Sequence, residues 1–551
     1  MTAPPTTEPL VELRDVTVQY ASTQQTVLDG VSLAVRPGEL ALVTGPSGCG
    51  KSTLLRVVNG LIPHSYRAGV TGEVLVGGKP AAGQTIRQIS AVVGTLLQDP
   101  QRQIVGTTVR TEIAFGPENL ALPRDEIRHR IDEVAGRVGI THLLDRATSQ
   151  LSGGELQMVA FAGVLAMRPS LVVVDEPLAN LDPSASLRLL RELRRFVDEG
   201  GAAIVVEHRV EEILEFAPSH VLLLAGGRPV YHGDVPGFLR VAPVGQVKLP
   251  FGTLVERAAE LPEAPDRPAR ERGAVRLAYE KAALGYPGRT VLSGLDLGFG
   301  STERVAVLGP NGAGKSTLLR AAMRLVEPSK GRVLVDGAPV AERSIISLAT
   351  TFGYVFQNPG QSLFSGTVRD ELAFGPRNLK WPKDEIEAAS QEALRAVLLD
   401  QEPGILDRPP RTLSFGQQRR LTVALALAMR PKTLILDEPT AGQDLHTTSA
   451  FMDHVLDTTE SVYFITHDVD LALTAADRIV VIDGGRVAAD GSPAEIAHRT
   501  DLWDRLRETS LVRAVRAELP PKGALPHPFA LARHLQSESS RSEISERTPP
   551  T

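Results

Sequence analysis

Two glycine-rich segments of this sequence have the residue types and the spacing of a phosphate-binding loop. GPSGCGKST and GPNGAGKST each follow a short apolar run and precede a helix-like apolar pattern. In such a loop the glycines let backbone N–H groups turn toward phosphate oxygens, and the helix N-terminus adds positive potential. The lysine reaches the β- and γ-phosphates, and the serine hydroxyl binds magnesium. We therefore predict two phosphate sites, formed by Gly45, Pro46, Ser47, Gly48, Cys49, Gly50, Lys51, Ser52 and Thr53, and by Gly309, Pro310, Asn311, Gly312, Ala313, Gly314, Lys315, Ser316 and Thr317.

Paired acidic residues end two further apolar runs. The run VVVDEP contains Asp175 and Glu176, and the run LILDEP contains Asp437 and Glu438. A carboxylate at the end of a buried strand can hold magnesium through water, and we predict that role for Asp175 and Asp437. The adjacent Glu176 and Glu438 are expected to face the other side of the strand end, where each could polarise an attacking water as a catalytic residue.

A histidine and a glutamine also recur at matching places. His208 ends the run AAIVVEH and His467 ends VYFITH. A lone histidine at a strand end is usually structural, but its recurrence favours a catalytic role in which a neutral imidazole bridges water and the γ-phosphate. Gln98 and Gln357 end the runs TLLQ and YVFQ, and we predict that they contact the metal and the water, as Ser52 and Ser316 contact the metal.

The motifs are separated by nearly constant intervals, which are 264 residues for the lysines, 262 for the acidic pairs and 259 for the histidines. A repeat of this length indicates a duplicated domain rather than a solenoid. We predict a first domain over 9–243 and a second over 273–512. The stretch 244–272 is rich in proline and charge and is expected to be a solvated linker. The polar stretch 513–551 is expected to be a disordered tail.

Each phosphate loop needs a strand before it and a helix after it. LALVT precedes the first loop and VAVL the second, and both helices that follow are apolar at helical spacing. The later runs LVVVDEP and AAIVVEH are continuously apolar, as expected for strands that are covered on both faces. Strands that alternate with helices predict an α/β fold with a mostly parallel sheet in each copy.

Composition excludes several classes of protein. The chain has 551 residues, of which 42% are hydrophobic and 23% charged, and its net charge is −6. It therefore has no global basic field for nucleic acid. A single cysteine excludes a disulfide framework and a thiolate zinc cluster, and suits a reducing cytosol. No apolar run approaches the roughly 18 residues of a membrane span, and MTAPPTTEPL lacks the pattern of a signal peptide, so we expect a chain that neither spans a membrane nor is exported.

Together these motifs resemble the nucleotide-binding domain of the ATP-binding cassette (ABC) superfamily, present twice in one chain. The most specific motif is the signature, LSGGELQ at 151–157 and LSFGQQR at 413–419. The resemblance implies a duplicated P-loop NTPase domain that hydrolyses ATP with Mg²⁺. Each copy would have a mostly parallel sheet core, an antiparallel β subdomain and a helical subdomain.

In that family two domains enclose two ATP molecules head to tail, so the two copies would form an internal pseudo-dimer. The resemblance then implies that Ser414 and Gly416 complete the first site, while the residues that complete the second are Ser152, Gly153 and Gly154. It implies adenine stacking on Tyr20 and Tyr286, although a core or surface tyrosine is an open alternative. It also matches Asp182 and Asp444 to the loop that crosses the dimer seam.

The sequence departs from the family pattern in three places. Phe415 replaces the first glycine of the second signature, Gln443 replaces a leucine, and Glu155 replaces the usual glutamine after the first signature. Because both copies keep the lysine, the acidic pair and the histidine, we expect both sites to hydrolyse ATP, with rates that can differ. Cys49 is a tolerated small residue or, if the helix N-terminus lowers the pKa of its thiol, a group whose modification ATP blocks.

A second repeated segment suggests what the ATPase drives. Residues 98–120 and 357–379 share 12 of 23 positions, including AFGP. This pattern resembles the ATPase components of energy-coupling-factor (ECF) importers of vitamins and transition metals. The resemblance implies a transmembrane T-component and a substrate-capturing S-component as partners, no nucleic acid, and a peripheral location on the cytoplasmic face of the membrane. The alternatives are another ABC transporter, such as a sugar importer or an exporter, or a soluble member that acts on ribosomes or DNA.

Overall fold

The computed structural model describes residues 8–21, 24–178, 181, 183–263, 268–440, 445–521 and 525–546. The chain divides into two compact units. The first is Met1–Pro250 with Asp444–His446, and the second is Phe251–Gln443 with Thr447–Thr551. The division at Pro250 falls inside the stretch that we predicted as a linker.

The first unit contains two sheets. An antiparallel four-stranded sheet has the order β2-β1-β4-β5, and a six-stranded sheet has the order β10-β9-β3-β8-β7-β6, in which only β10 pairs antiparallel. The strands are β1 (Val11–Tyr20), β2 (Thr26–Val35), β3 (Leu40–Thr44), β4 (Ala68–Val76), β5 (Lys79–Pro80), β6 (Val93–Leu96), β7 (Leu171–Asp175), β8 (Ala202–Val206), β9 (His220–Ala225) and β10 (Arg228–Gly233).

Nine α-helices belong to the described part of the first unit. They are α1 (Lys51–Val58), α2 (Leu61–His64), α3 (Ile86–Ser90), α4 (Val109–Asn119), α5 (Arg124–Arg137), α6 (Gly153–Ala166), α7 (Pro183–Asp198), α8 (Val210–Leu214) and α9 (Val235–Val241). Helices α4, α5 and α6 pack on one another and form the helical subdomain.

The second unit repeats this plan. Its sheets have the orders β12-β11-β14-β15, antiparallel, and β16-β17-β18-β13-β19-β20, with only β20 antiparallel. The strands are β11 (Val275–Tyr286), β12 (Arg289–Gly300), β13 (Arg304–Leu308), β14 (Pro328–Val335), β15 (Ala338–Pro339), β16 (Phe352–Val355), β17 (Thr433–Asp437), β18 (Ser461–Ile465), β19 (Arg478–Asp483) and β20 (Arg486–Gly491).

The described part of the second unit has one α-helix before its first strand in sequence and several after its last strand. Its α-helices are α10 (Phe251–Glu256), α11 (Lys315–Arg320), α12 (Ile345–Thr351), α13 (Val368–Asn378), α14 (Lys383–Ala396), α15 (Phe415–Leu427), α16 (Leu445–Thr458), α17 (Val469–Ala475), α18 (Pro493–Ala497), α19 (Trp503–Leu506), α20 (Ser510–Glu518) and α21 (Pro528–Glu546). Helices α13, α14 and α15 form the helical subdomain.

The central strands are buried along their whole length. All five residues of β3 and of β13 are buried, and so are all five of β8 and β18. Continuous apolar runs are required here because side chains on both faces of a covered parallel strand leave water. The predicted fold class, an α/β domain present twice with a parallel core, an antiparallel sheet and a helical subdomain, is confirmed.

Over 513–521 and 525–546, the structure contradicts the expectation of a disordered tail. Helices α20 and α21 lie in or across the stretch 513–551, and α21 packs on α10. Leu531 is 1% exposed, and the guanidinium of Arg533 donates to the carbonyl oxygens of Leu261 and Pro262 at 2.6 and 2.7 Å. Polar average composition concealed this packing, since a few apolar residues on one helical face are enough to hold a short helix against the domain.

The stretch 244–272 likewise contains structure rather than only a solvated linker. Phe251, at the start of α10, is 4% exposed, and its backbone N–H donates to Ser510 Oγ at 2.8 Å. Part of the connection therefore packs on the C-terminal helices of the second unit. Within the described residues, no helix has both the length and the apolar character that crossing a membrane requires.

Candidate nucleotide-binding sites

Each phosphate loop connects the end of a buried strand to the start of a helix. In the first unit β3 ends at Thr44 and α1 begins at Lys51, and the second unit repeats this geometry between β13 and α11. Gly45 and Gly309 adopt φ values of 143° and 148°. A Cβ atom at either glycine would lie 2.1 Å from a carbonyl oxygen of the neighbouring strand, so only glycine fits.

The loop lysines fold back over their own loops. Lys51 Nζ donates to the carbonyl oxygens of Gly45 at 2.8 Å and of Pro46 at 3.0 Å. Lys315 Nζ makes the same bonds at 2.7 and 3.1 Å. Both lysines are 6% exposed. Each loop thus holds an ammonium group next to the N-terminus of a helix, which is the charge distribution that binds a phosphate.

The loop serine and the strand-end aspartate meet in both units. Ser316 Oγ donates to Asp437 Oδ1 at 3.1 Å, and the hydroxyl of Ser52 is hydrogen-bonded to Asp175. A hydroxyl and a carboxylate beside a phosphate loop are the oxygen ligands that Mg²⁺ prefers, so these residues fit that ion. Burial and the neighbouring Glu176 raise the pKa of Asp175 to about 6. Burial also raises the pKa of Asp437, against the hydrogen bond from Ser316.

The two glutamates occupy an unusual backbone conformation. Glu176 has a φ of 42° and Glu438 a φ of 56°, both in the left-handed region. Their backbone N–H groups donate to Val206 O at 2.9 Å and Ile465 O at 3.0 Å, which fixes this turn at the strand end. A non-glycine residue in this region costs on the order of 1–3 kcal/mol and is concentrated at functional sites.

The side chains around these glutamates differ between the units. In the first unit, Gln98 Nε2 donates to Glu176 Oε2 at 2.7 Å, and His208 Nδ1 lies 3.8 Å from Glu176 Oε1. In the second unit, His467 Nδ1 lies 2.8 Å from Glu438 Oε2. Glutamine, glutamate and histidine therefore come together in the first unit, and glutamate and histidine in the second.

Charge explains the protonation state of the second glutamate. Burial favours the neutral acid, but His467, Lys315 and Arg419 together outweigh it and lower the pKa of Glu438 below its usual range. His208 is also buried, yet the pKa of its imidazole is raised because Glu176 and Glu207 stabilise the charged form. An ionised glutamate is the form that can accept a proton from water.

Arg419 was not predicted from the sequence as a site residue. This arginine is 1% exposed, and its guanidinium donates to the carbonyl oxygens of Gln357 at 2.6 Å and Asp437 at 3.2 Å. The first unit has Gln157 at this position, and its side-chain amide donates to the carbonyl oxygen of Leu97 at 3.5 Å. The backbone carbonyl of Gln357 therefore contacts α15 through Arg419. The same guanidinium connects α15 to the segment after β16 and to the end of β17.

Tyr354 was also missed. Its hydroxyl donates to Asp437 Oδ2 at 3.2 Å, and its ring contacts Phe356 at a centroid distance of 4.7 Å. The second aspartate therefore has both carboxylate oxygens bonded, to Ser316 and to Tyr354. The available signal was the difference between YVFQ and TLLQ, since threonine stands at this position in the first unit.

The signature residues begin helices. Ser152 accepts from Glu155 N at 3.3 Å while Glu155 Oε2 accepts from Ser152 N at 2.8 Å, and Ser414 forms the same capping box with Gln417. Glu155 thus replaces glutamine without loss of the cap. Gly153, Gly154 and Gly416 lie in the first turns of α6 and α15, and Phe415 is 46% exposed. Their contact with a phosphate on the other copy stays a prediction. Asp182, Asp444 and Gln443 lie outside the described residues.

The tyrosines predicted to stack on adenine lie next to the helix that follows each phosphate loop. The hydroxyl of Tyr20 is 3.3 Å from Thr53 Oγ1 and accepts from Arg56 at 3.0 Å. The hydroxyl of Tyr286 accepts from Arg320 at 3.4 Å. Both tyrosines are therefore placed beside the loop, and adenine stacking stays a prediction.

The expectation of an acidified thiol at Cys49 is wrong. The side chain is 3% exposed, and burial raises the pKa of the thiol despite the nearby Lys51. Loss of hydration outweighs the positive potential of the helix N-terminus, because a thiolate inside the protein loses the water that stabilises it.

The repeated segment after each glutamine carries a buried glutamate. Glu112 Oε2 accepts from the backbone N–H groups of Val105 at 2.8 Å and Gly106 at 2.6 Å. Glu371 Oε2 accepts from those of Phe364 at 2.9 Å and Ser365 at 2.7 Å. Each glutamate therefore fixes the loop that precedes its own helix, α4 or α13.

Comparison with known proteins gives consistent matches. A family model described as ABC transporter matches residues 28–179 and again residues 292–441. A protein of Methanosarcina mazei with the provisional name ABC transporter ATP-binding protein is 34% identical, over 93% of this chain and 93% of the relative. A protein of Bacillus anthracis with the same provisional name is 32% identical, over 92% of this chain and 96% of the relative. The solved structure of CbiO1 from Clostridium perfringens, described as part of the ABC transporter complex CbiONQ, is 27% identical and covers 46% of this chain and 95% of its own, with a TM-score of 0.39.

Proposed function

This chain belongs to the ABC transporter family of ATP-binding proteins, and we propose that it energises the uptake of a vitamin or a transition metal as the ATPase of an ECF-type importer. It is an ATPase with two tandem ATP-binding domains. Its partners in this proposal are a transmembrane subunit like a T-component and a membrane subunit that captures the substrate. The observation that supports this finer assignment is the glutamate-anchored segment at the helical subdomain of each unit.

The residues of each unit divide the work of hydrolysis. In the second unit, the phosphate loop with Lys315 would bind the ATP phosphates, and Ser316 and Asp437 would hold Mg²⁺. When bound, the ion neutralises charge on the phosphates. Glu438 would accept a proton from the attacking water, and His467, 2.8 Å away, would orient it against the γ-phosphate. The first unit would use the corresponding residues of its own loop and strand ends.

We further propose that the two units enclose two ATP molecules between them. In each unit a serine caps a helix of 13 or more residues. Gly153 and Gly154 follow the serine in α6, and Phe415 and Gly416 follow it in α15. A helix N-terminus of this kind can bind the γ-phosphate that the other unit presents. Closure on ATP and opening after hydrolysis would then move the helical subdomains that contact the membrane partner.

The anchored segments expose apolar side chains that a membrane subunit could cover. Val105 is 61% and Phe115 50% exposed in the first unit, and at the matching positions Phe364 is 59% and Phe374 50% exposed. The rings of Phe364 and Phe374 lie edge to face at 4.8 Å. Exposed aromatic side chains at the same place in both units indicate an interaction site, since water-exposed apolar clusters are otherwise rare. We use the term lobe patch for Val105 and Phe115 in the first unit and, separately, for Phe364 and Phe374 in the second.

The test is reconstitution of the full chain with the transmembrane proteins that copurify with it from membranes. We expect substrate uptake into vesicles and stimulated ATPase activity, both lost when Phe115 and Phe374 are changed to serine. The matched control is the pair Ile345→Ser and Ile346→Ser, which are 72% and 63% exposed but lie on α12, outside the lobe patch. Both double variants should keep the basal ATPase activity.

Other outcomes would separate the alternatives. Efflux instead of uptake in the vesicles would make the partner an exporter, and stimulated ATPase activity with ribosomes or DNA would favour a soluble member. Transport that survives loss of the phenylalanines would show that the lobe patch is not the coupling surface.

A further inference from the structure

The first unit buries a carboxylate beside His208 that none of the roles above uses. Glu207 is fully buried, with 0% exposure. Its Oε1 accepts from the backbone N–H groups of His208 at 2.8 Å and Arg209 at 3.1 Å. The same oxygen lies 3.3 Å from His208 Nδ1, closer than the 3.8 Å that separates this nitrogen from Glu176 Oε1. The imidazole of the first unit therefore lies near both carboxylates, and its Nδ1 is closer to Glu207 than to Glu176.

The second unit lacks this carboxylate. Thr466 stands at the matching position, and its hydroxyl accepts from Asp468 N at 3.0 Å, so it supports the same turn without a charge. There His467 Nδ1 lies 2.8 Å from Glu438 Oε2, within direct hydrogen-bonding distance. A glutamate in place of threonine thus accompanies a longer distance between the histidine and the strand-end glutamate, 3.8 Å in the first unit against 2.8 Å in the second.

Burial raises the pKa of Glu207, and the neighbouring Glu176 raises it further, against the opposing effects of His208 and Arg209. Its carboxylate lies close enough to Glu176 for the two to repel each other. Repulsion between like charges is strong where burial removes water. In the second unit, the fully buried Arg419 places a positive charge near Glu438 instead.

From these differences we propose that Glu207 is a positioning residue that keeps His208 farther from Glu176 than His467 lies from Glu438, so that the first site hydrolyses ATP more slowly than the second. The proposal rests on the catalytic roles proposed above for the histidines and glutamates. It assigns the dominant turnover to the site with Lys315, Glu438 and His467. Glu207 does not touch the substrate itself, and it acts through the imidazole.

The experiment exchanges the two residues in the full-length chain. Glu207→Thr gives the first unit the residue of the second, and we expect kcat to rise about twofold, because two equally fast sites replace one fast site. Thr466→Glu gives the second unit the residue of the first, and we expect kcat to fall on the order of tenfold, the lower end of the effect of changing the carboxylate partner of a metal-bound histidine. KM for ATP should stay within about a factor of two in both variants, since neither residue contacts the nucleotide.

The sign of the first effect separates positioning from a structural role. A residue needed only for folding would lower both kcat and the melting temperature when it is replaced. A fall or no change in kcat for Glu207→Thr with an unchanged melting temperature overturns the proposal. If Glu207→Thr does not fold, Glu207→Gln keeps the backbone bonds, removes the charge and should raise kcat in the same direction.

Photolabelling with 8-azido-ATP, followed by mass spectrometry of the two loop peptides, gives a readout besides turnover. Equal labelling of both loops in all variants is expected, and loss of labelling at one loop would mean that binding rather than positioning had changed. A wild-type chain that hydrolyses no ATP would contradict the proposed catalytic roles. An active wild type with the wrong sign for Glu207→Thr contradicts only the present inference.

Discussion

Replacing Glu371 by alanine should release the loop that exposes Phe364 without unfolding the second unit. Glu371 is 3% exposed, and one of its carboxylate oxygens accepts from two backbone N–H groups, at 2.9 and 2.7 Å. A hydrogen bond to a charged group contributes about 1.5–3 kcal/mol. Loss of both bonds therefore favours the open loop by about 3 kcal/mol at the lower limit.

This free energy can be read directly from amide hydrogen exchange. A change of about 1.4 kcal/mol is a tenfold change in an equilibrium constant, so exchange at the amides of Phe364 and Ser365 should accelerate on the order of 100-fold. Glu371→Gln keeps an uncharged acceptor and should give a smaller effect, about tenfold. Glu112→Ala should do the same at Val105 and Gly106 in the first unit, where the bonds measure 2.8 and 2.6 Å.

The functional consequence should follow the exchange data. Because Glu371 lies outside the catalytic groups, we expect the basal ATPase activity to be retained and stimulation by the membrane subunits to fall. Unchanged exchange at Phe364 and Ser365 in Glu371→Ala would refute the reasoning, since it would mean that the edge-to-face contact with Phe374 holds the loop by itself. Faster exchange across the whole second unit would show that Glu371 is needed for folding instead.

Three further predictions concern single side chains. Arg419→Gln removes bonds to two carbonyl oxygens and should lower the free energy of unfolding by about 2 kcal/mol, which differential scanning fluorimetry would detect as a shift of about 4–8 °C, whereas an unchanged melting temperature would contradict it. Tyr354→Phe removes the hydroxyl bonded to Asp437 and should weaken the apparent Mg²⁺ affinity about tenfold in a titration with a fluorescent ATP analogue, with no change expected if the hydroxyl is idle. Burial raises the pKa of the Cys49 thiol, so less thiolate is present at a given pH. Reaction of Cys49 with a disulfide reagent should therefore be slower than in the urea-unfolded chain, and it should accelerate only at pH values above those that suffice for a free thiol. Equal rates in the folded and the unfolded chain would contradict burial.

Much of the fold and of each site was predictable because the decisive residues are close in sequence. A phosphate loop takes all of its backbone N–H donors from one stretch of nine residues, so GPSGCGKST and GPNGAGKST each specify their geometry locally. The pairs Asp175–Glu176 and Asp437–Glu438 end buried strands for the same local reason. The repeat at intervals of 259 to 264 residues then predicted two domains of one α/β fold, and the family match agrees.

The C-terminal helices were not predicted, because tertiary packing rather than composition determines whether these residues fold. Residues 513–551 are polar on average, yet Leu531 is buried and Arg533 bonds to carbonyl oxygens about 270 residues earlier in the chain. Sequence patterns do not reveal which surface a short apolar stripe will meet. Only the folded second unit supplies the partner that makes these helices favourable.

The sequence by itself determined the chemistry of this protein, and the tertiary structure decided how its two copies differ. Contiguous motifs were enough to identify the loops, the acidic pairs and the histidines. The contact of Gln98 with Glu176 and the proximity of Glu207 to Glu176 depend on strands that are distant in sequence and adjacent in space. The same holds for the high pKa of the Cys49 thiol, because the water that a charged group loses depends on everything packed around it.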